Sequence, residues 1–380
     1  MDSKLSRSPL AIGADISLYK RLHEAGVVYK CNGMPATLPE LLVEKGYTHA
    51  RLRLFHSPSG QGAQVNDLEY TRDLAKTCKA AGLKLLLCLH YSDSWADPGK
   101  QHPPSAWKNQ SFQELEQSIR EYTRDLFWDL LQAGLEPEMV QVGNEITPGM
   151  LWEHGRISKS HSINTQNWSE ADFVAEEENW IRFARLLRAG IRGVRDALGS
   201  KANVMIHIDR GGDAKTAVGF FRKLAQYHLD FNTIGLSYYP FWHGTLQDLR
   251  TTIQSLHEAT GKEIHIVEVA LPASTHPIYE GDHKEENAAL LGITGTREVE
   301  YPISPEGQAQ FLRDLHAMLL EMQPEGARGL FYWAPEWIRV EGYEDEPDAG
   351  PCYVRALFDS EGNALPALDA FVGKYMTPVT

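Results

Sequence analysis

Eight short apolar runs recur along the chain at near-regular intervals, and longer helical patterns fill the gaps. The runs are 11–16, 50–54, 84–90, 139–142, 204–208, 233–238, 264–269 and 329–333. Each has the length and the Leu, Ile and Val content of a buried strand. Between them, "DLEYTRDLAKTCKAAG" spaces Leu68, Leu74 and Cys78 one or two turns apart and stops on Gly82. "WIRFARLLRAGIRGVRDALG" is amphipathic in the same way, and "SPEGQAQFLRDLHAMLLEM" opens with Ser304 as a cap before a first-turn Pro305. Strand alternating with helix implies right-handed crossovers and a parallel sheet. Eight such units predict an α/β chain closed into a (β/α)8 TIM barrel. An open doubly wound sheet would carry a Gly-rich phosphate turn after its first strand, and "GADISLYKRL" has none. No linker or low-complexity tract divides the 380 residues, so a single catalytic domain is expected over 1–380. The irregular segment 272–303 is read as a long loop after strand seven.

Composition narrows the partners. Net charge is −14 with no basic cluster, which argues against nucleic acid and suits a neutral ligand. The longest apolar runs are strand-length, so no membrane span is expected. The four cysteines, Cys31, Cys78, Cys88 and Cys352, form no metal-binding spacing. The N-terminus lacks a signal-peptide core, which makes a cytoplasmic location the default expectation, with secretion the alternative if a leader once preceded it. Asn-x-Ser triplets at Asn109 and Asn167 matter only in a eukaryotic secretory setting.

In such a barrel the chemistry lies at the C-terminal ends of the strands. Strand one ends at Asp15, and strand two carries Arg51 and Arg53 on one face. Strand three delivers His90, then Asp93, Trp95 and Asp97. Strand four delivers Asn144 and Glu145, strand five His207 and Asp209, and strand six Tyr239 and Trp242. Strand seven gives Glu268, and strand eight Trp333, Glu336 and Trp337. Any one of these charges could simply close a loop. As a set, two carboxylates on strands four and seven, ringed by arginine, histidine, amides and aromatics, fit glycoside cleavage. One carboxyl must donate a proton while the other, ionised, attacks the anomeric carbon. Their environments must therefore differ. Arg51 or Arg53 beside Glu268 would hold its pKa low, while aromatics near Glu145 suit a proton donor. Asn144 can bond a sugar hydroxyl, and Trp95, Trp242, Trp333 and Trp337 offer faces for sugar rings. Trp128 and Trp180 lie within helices and are expected to fill the core. Other barrel chemistries fit poorly: strand one lacks His-x-His, strand six lacks a Schiff-base lysine, and the turns after strands seven and eight lack the glycines of a phosphate site.

The segments "GADIS", "RLRLFHSPSG", "LHYSDSWADPGKQHPPSAW", "VQVGNEITPGMLW", "MIHIDRGGD", "IGLSYYPFW", "IVEVALP" and "GLFYWAPEWI" together resemble glycoside hydrolase family 53, the endo-β-1,4-galactanases, across nearly the whole chain. The resemblance implies a retaining double displacement, with Glu145 as acid/base and Glu268 as nucleophile. It also implies that Arg51, His90, Asn144, Tyr239 and Trp333 surround the reacting sugar. β-Galactan or a galacto-oligosaccharide would be the substrate, with no cofactor required. Some bacterial members hold a structural Ca2+ in the loop after strand seven. The acidic residues there, Glu280, Asp282, Glu285 and Glu286, show no ligand spacing, so no metal is assigned. The chain departs from the family at "YWAPEW" in place of "YWEPAW", at Arg210 in place of Asn, at aliphatic Leu271 and Ala273 where aromatics are usual, and at "GPCYVRALFD". These changes leave the carboxylate pair untouched and alter its rim. A retaining β-galactosidase of another linkage or shorter substrate is therefore the alternative. A non-catalytic sugar-binding barrel is a third reading, disfavoured because both carboxylates are present.

Overall fold

The computed structural model describes residues 9–157, 177–274, 299–340 and 351–371. Eight parallel strands close into a barrel: β1 (Ala11–Asp15), β2 (His49–Leu54), β3 (Lys84–Leu89), β4 (Met139–Val142), β5 (Asn203–Ile208), β6 (Thr233–Tyr238), β7 (Glu263–Val269) and β8 (Ala327–Trp333). Each pairs with its sequence neighbours, and β1 closes the ring against β8. All eight apolar runs became strands because each can bury both faces, against helices outside and packed side chains inside.

The helices obey the punctuation in the sequence. Leu68–Ala81 starts on an Asp67 cap and ends at Gly82, whose φ of 100° only glycine adopts easily. Phe112–Gln132 begins with a capping box between Ser111 and Glu114. Pro305–Glu321 opens on the Ser304 cap, as expected. Trp180 is fully buried. Trp128, expected in the core, is instead 47% exposed, with the Arg124 guanidinium 5.0 Å from its ring centre. Helical periodicity marks two faces, and Trp128 lies on the outer one, where a cation–π contact covers it.

The barrel's lower interior is filled by Leu86, Met139, Met205, Val267 and Phe331. Between β6 and β7 the register slips: Leu236 faces Ile266, but Ser237 faces Glu268, skipping Val267. This bulge brings Ser237 and Glu268 level at the mouth. Most of the segment read as a loop after β7, with Glu280, Asp282, Glu285 and Glu286, lies outside the described residues, as does Asn167. Among the described residues no helix is long and apolar enough to cross a membrane.

Candidate active site

At the mouth, the chain leaves β4 through Gly143-Asn144-Glu145. Gly143 has φ of 79°, and a Cβ there would meet Ile146 Cγ2 at 2.7 Å, so the turn needs glycine. Glu145 itself is left-handed, φ 48°, as are Tyr91 past β3 and Ala334 past β8. Non-glycine residues take this conformation at a cost, and such strain gathers at functional sites.

The turn aims Glu145 at Glu268. One carboxylate oxygen from each, together with a His207 ring nitrogen, lie within 4.8 Å of one another. An oxygen-to-oxygen approach within 4.8 Å suits the short gap of a retaining pair better than the wider gap of an inverting one. The two carboxyls have different neighbours. Glu268 Oε1 accepts from Arg51 Nη2 at 2.8 Å, and Oε2 accepts from Tyr239 Oη at 3.0 Å. Glu145 Oε1 accepts from the Ser237 hydroxyl at 2.6 Å.

Burial pushes both carboxyls up, and Glu145 further. On Glu145, the charges of Glu268 and Asp209 add to burial, with the Ser237 hydrogen bond opposing. On Glu268, Arg51 and the Tyr239 hydrogen bond oppose burial, while Asp15 adds to it. The expectation that an arginine would hold Glu268 low is therefore corrected: Arg51 only limits a rise that desolvation imposes. The difference between the two survives: Arg51 and the Tyr239 hydroxyl favour the ionised form at Glu268, while Glu145 has only the Ser237 hydroxyl to do so.

Arg51 is the hub. Its Nη1 donates to Asp15 at 2.6 Å, and its Nη2 donates to Asn144 Oδ1 at 2.8 Å as well as to Glu268. Arg53 shares its face but not its role. Its Nε donates to Asn66 at 3.0 Å, and its guanidinium lies 4.1 Å from the Trp95 ring centre, so it does not reach the pair. Asp15 is buried beneath Arg51 and accepts from Ser17, so it is a support and not a sugar contact. Asp93 braces loops, accepting from the Ser57 and Ser105 amides at 3.0 and 2.8 Å. Asp209 accepts from the Thr147 hydroxyl. His207 is completely buried, so it too acts behind the surface. His90 is held neutral by burial and accepts the Ala96 amide on Nδ1 at 3.0 Å. Asn144 gives one Nδ2 proton to Ala96 O at 2.9 Å. Trp95, Trp333 and Trp337 form an aromatic wall, with Trp95 and Trp337 stacked at 6.4 Å. Trp242 stands half out in solvent, edge-on to Tyr239 at 5.3 Å.

Several members of the site were not anticipated. Gln141, inside an apolar run, bonds Arg51, Asn144 and His207. Gln101 donates to the Asn144 carbonyl at 2.8 Å, fixing the turn. Ser237 holds Glu145. Arg355 lies 4.8 Å from the Phe241 ring centre and 5.7 Å from that of Tyr239. A polar residue at mid-strand was the available signal for Gln141 and Ser237.

Among the described residues, Glu145, His207 and Glu268 are the one set of donors close enough together for a metal ion. Both His207 nitrogens are already hydrogen-bonded, and Arg51 already neutralises Glu268. A cation would have to displace that guanidinium, so the donor set does not fit a resident metal.

A parallel eight-stranded barrel carrying two close, unlike carboxyls at its mouth among aromatic walls defines a glycoside hydrolase. The sequence pattern of Glycosyl hydrolase family 53 matches residues 11–371. The "Uncharacterized protein in bgaB 5'region" of Niallia circulans is 38% identical, covering 88% of this chain and 86% of that protein. The endo-beta-1,4-galactanase of Bacillus subtilis is 31% identical, covering 94% and 84%. The solved Ignisphaera aggregans GH53 catalytic domain superposes with a TM-score of 0.81 at 32% identity, covering 98% of each chain. The chain belongs to glycosyl hydrolase family 53.

Proposed function

We propose that the protein cleaves β-1,4-linked galactan by a retaining double displacement, with Glu268 as nucleophile and Glu145 as acid/base. The carrying observation is the pair itself: two carboxyl oxygens within 4.8 Å, one flanked by Arg51 and Tyr239, the other by a serine hydroxyl. Glu268, ionised, attacks the anomeric carbon. Glu145, still protonated, gives its proton to the departing glycosidic oxygen. In the second half, Glu145 takes a proton from water, which attacks the glycosyl–Glu268 ester and releases the sugar with its original configuration. Asn144 Nδ2 keeps one proton for a sugar hydroxyl, and the aromatic wall supplies faces for the rings. The galactanase names among the relatives support galactan as substrate.

The rim supports a second reading, in which the linkage or length preference has moved. Leu271 and Ala273 are small and buried, and Arg355 packs beside Tyr239 and Trp242. Hydrolysis of β-1,4-galactan, β-1,3-galactan and short β-galactosides, with Glu268→Gln as control, tests both. Turnover of the 1,4-polymer abolished in the variant is the expected result. Turnover confined to short or 1,3-linked substrates favours the second reading, and unchanged turnover in Glu268→Gln contradicts the assignment of the nucleophile.

A further inference from the structure

We infer that Ser237 is a positioning residue that decides which oxygen of Glu145 carries the transferable proton, through a closed hydrogen-bonded ring with His207. The inference rests on Glu145 being the acid/base. The ring follows from donor and acceptor arithmetic. His207 Nδ1 faces the Glu145 amide, which donates to it at 3.3 Å, and lies 3.0 Å from Gln141 Nε2, whose two protons are shared with Gly143 O, Asn144 Oδ1 and Cys88 Sγ. It also lies 3.1 Å from Asn144 Oδ1, but that oxygen already accepts from Arg51 at 2.8 Å, and Nδ1 already takes the Glu145 amide. Nδ1 is therefore the acceptor, and the proton sits on Nε2. Burial and the nearby Arg51 charge keep the ring neutral. Nε2–H donates to Ser237 Oγ at 2.9 Å. With that lone pair filled, the serine proton points to Glu145 Oε1 at 2.6 Å. The circuit runs from the Glu145 backbone, through imidazole and hydroxyl, to the Glu145 carboxyl.

A carboxyl oxygen that accepts a serine proton does not hold the acidic proton. The proton belongs on Oε2, which takes no protein hydrogen bond among the described residues. When it passes to the glycosidic oxygen, the O–H bond of Glu145 breaks, its electron pair stays on the carboxylate, and Ser237 is already in place to stabilise the charge. No reorientation is needed at that moment, which is where preorganised donors contribute most. The β6–β7 bulge that levels Ser237 with Glu268 is the backbone device behind this placement. Other charges bearing on Glu145 are those of Glu268, Asp209 and Asp97, none of which donates a hydrogen bond to Oε1.

The test measures kcat/KM against pH for aryl β-1,4-galactobiosides of graded leaving-group acidity, in the native enzyme, Ser237→Ala and Glu145→Ala. Removing the hydroxyl should cost roughly tenfold with leaving groups that need protonation and under about twofold with dinitrophenolate, which does not. The alkaline limb should move to higher pH, because the carboxylate loses a donor. A purely structural serine would lower all substrates equally and leave the limb in place, and that result overturns the inference. Glu145→Ala separates the two layers. If its losses do not depend on the leaving group, the acid/base reading fails. If they do while those of Ser237→Ala do not, only the role of Ser237 fails.

Discussion

At the lower end of the barrel, His49 and His265 flank Phe331, with ring centres 5.9 and 6.4 Å away, and the rest of the layer is Leu, Met and Val. At the upper end, Arg51, Asp15, Glu268, Asn144, Gln141 and His207 are joined in one buried hydrogen-bonded network. Both ends bury polar groups, yet they handle charge differently. Below, burial keeps the histidines neutral, with pKa values pushed down to about 4 for His49 and about 3 for His265. His265 Nδ1 has no partner among the described residues. Above, charge is retained because Arg51 spreads one guanidinium over Asp15, Asn144 and Glu268. A barrel interior can thus hold polar atoms either by discharging them or by networking them, and only the second leaves ionised groups for chemistry.

Four changes would break or sharpen that contrast. The largest effect belongs to Arg51→Met, which leaves Asp15 and Glu268 buried without their cation. Stability should fall by roughly 3–5 kcal/mol in denaturant titrations, and activity should vanish with it. Unaltered stability would mean that the network does not carry charge as described.

Glu336→Gln comes next. Burial, with Asp15 adding to it, pushes the Glu336 carboxyl up to about 8. Its Oε1 accepts the Leu18 amide at 2.9 Å, an acceptor role that glutamine keeps. A folded pKa above the unfolded value means the unfolded chain ionises first. Stability is fully present below about pH 4.3 and falls as pH rises towards 8, by roughly 2–4 kcal/mol between pH 5 and 8. The variant should lose that slope and melt higher than the native protein at pH 8, with the gap closing at pH 5.

The lower histidines slope the opposite way. Their folded pKa values lie below the unfolded value of about 6.5, so they cost nothing above it. As pH falls, the unfolded state takes up protons that the folded state refuses. For His49 the loss is about 2 kcal/mol by pH 5. His49→Phe should flatten the acid side of a stability–pH curve without moving kcat. A change in kcat would show that the two ends are coupled.

The smallest effect is expected on the outer helices. Arg120 pairs with Asp196 at 2.6 Å in solvent, and Arg120→Ala should shift stability by under about 1 kcal/mol, less in high salt.

How legible all this was in the sequence follows the same division. The strands were legible because apolar runs bounded by helical periodicity have few other uses. Glu145 and Glu268 were legible because charge at the end of such a run is costly unless it is used. Asp15, Arg53, Asp93 and His207 carry the same signal, but a strand's alternation gives the face and not the depth. A residue one layer down and a residue at the surface look alike in sequence. Gln141 and Ser237 were missed for the opposite reason: an uncharged polar residue in a strand reads as incidental until its partners, far along the chain, are seen. Glu336 stood in the sequence as a mouth residue, yet its backbone carbonyl takes the Tyr29 hydroxyl at 2.8 Å and its side chain turns inward.

The most direct measurement follows the anomeric proton during the first minutes of β-1,4-galactan hydrolysis by NMR, before mutarotation intervenes. Two carboxyls this close, one ionised and one protonated, should release the new reducing end as the β anomer. Initial release of the α anomer would mean that water attacks directly, and Glu268 could not then be the group that bonds to the sugar.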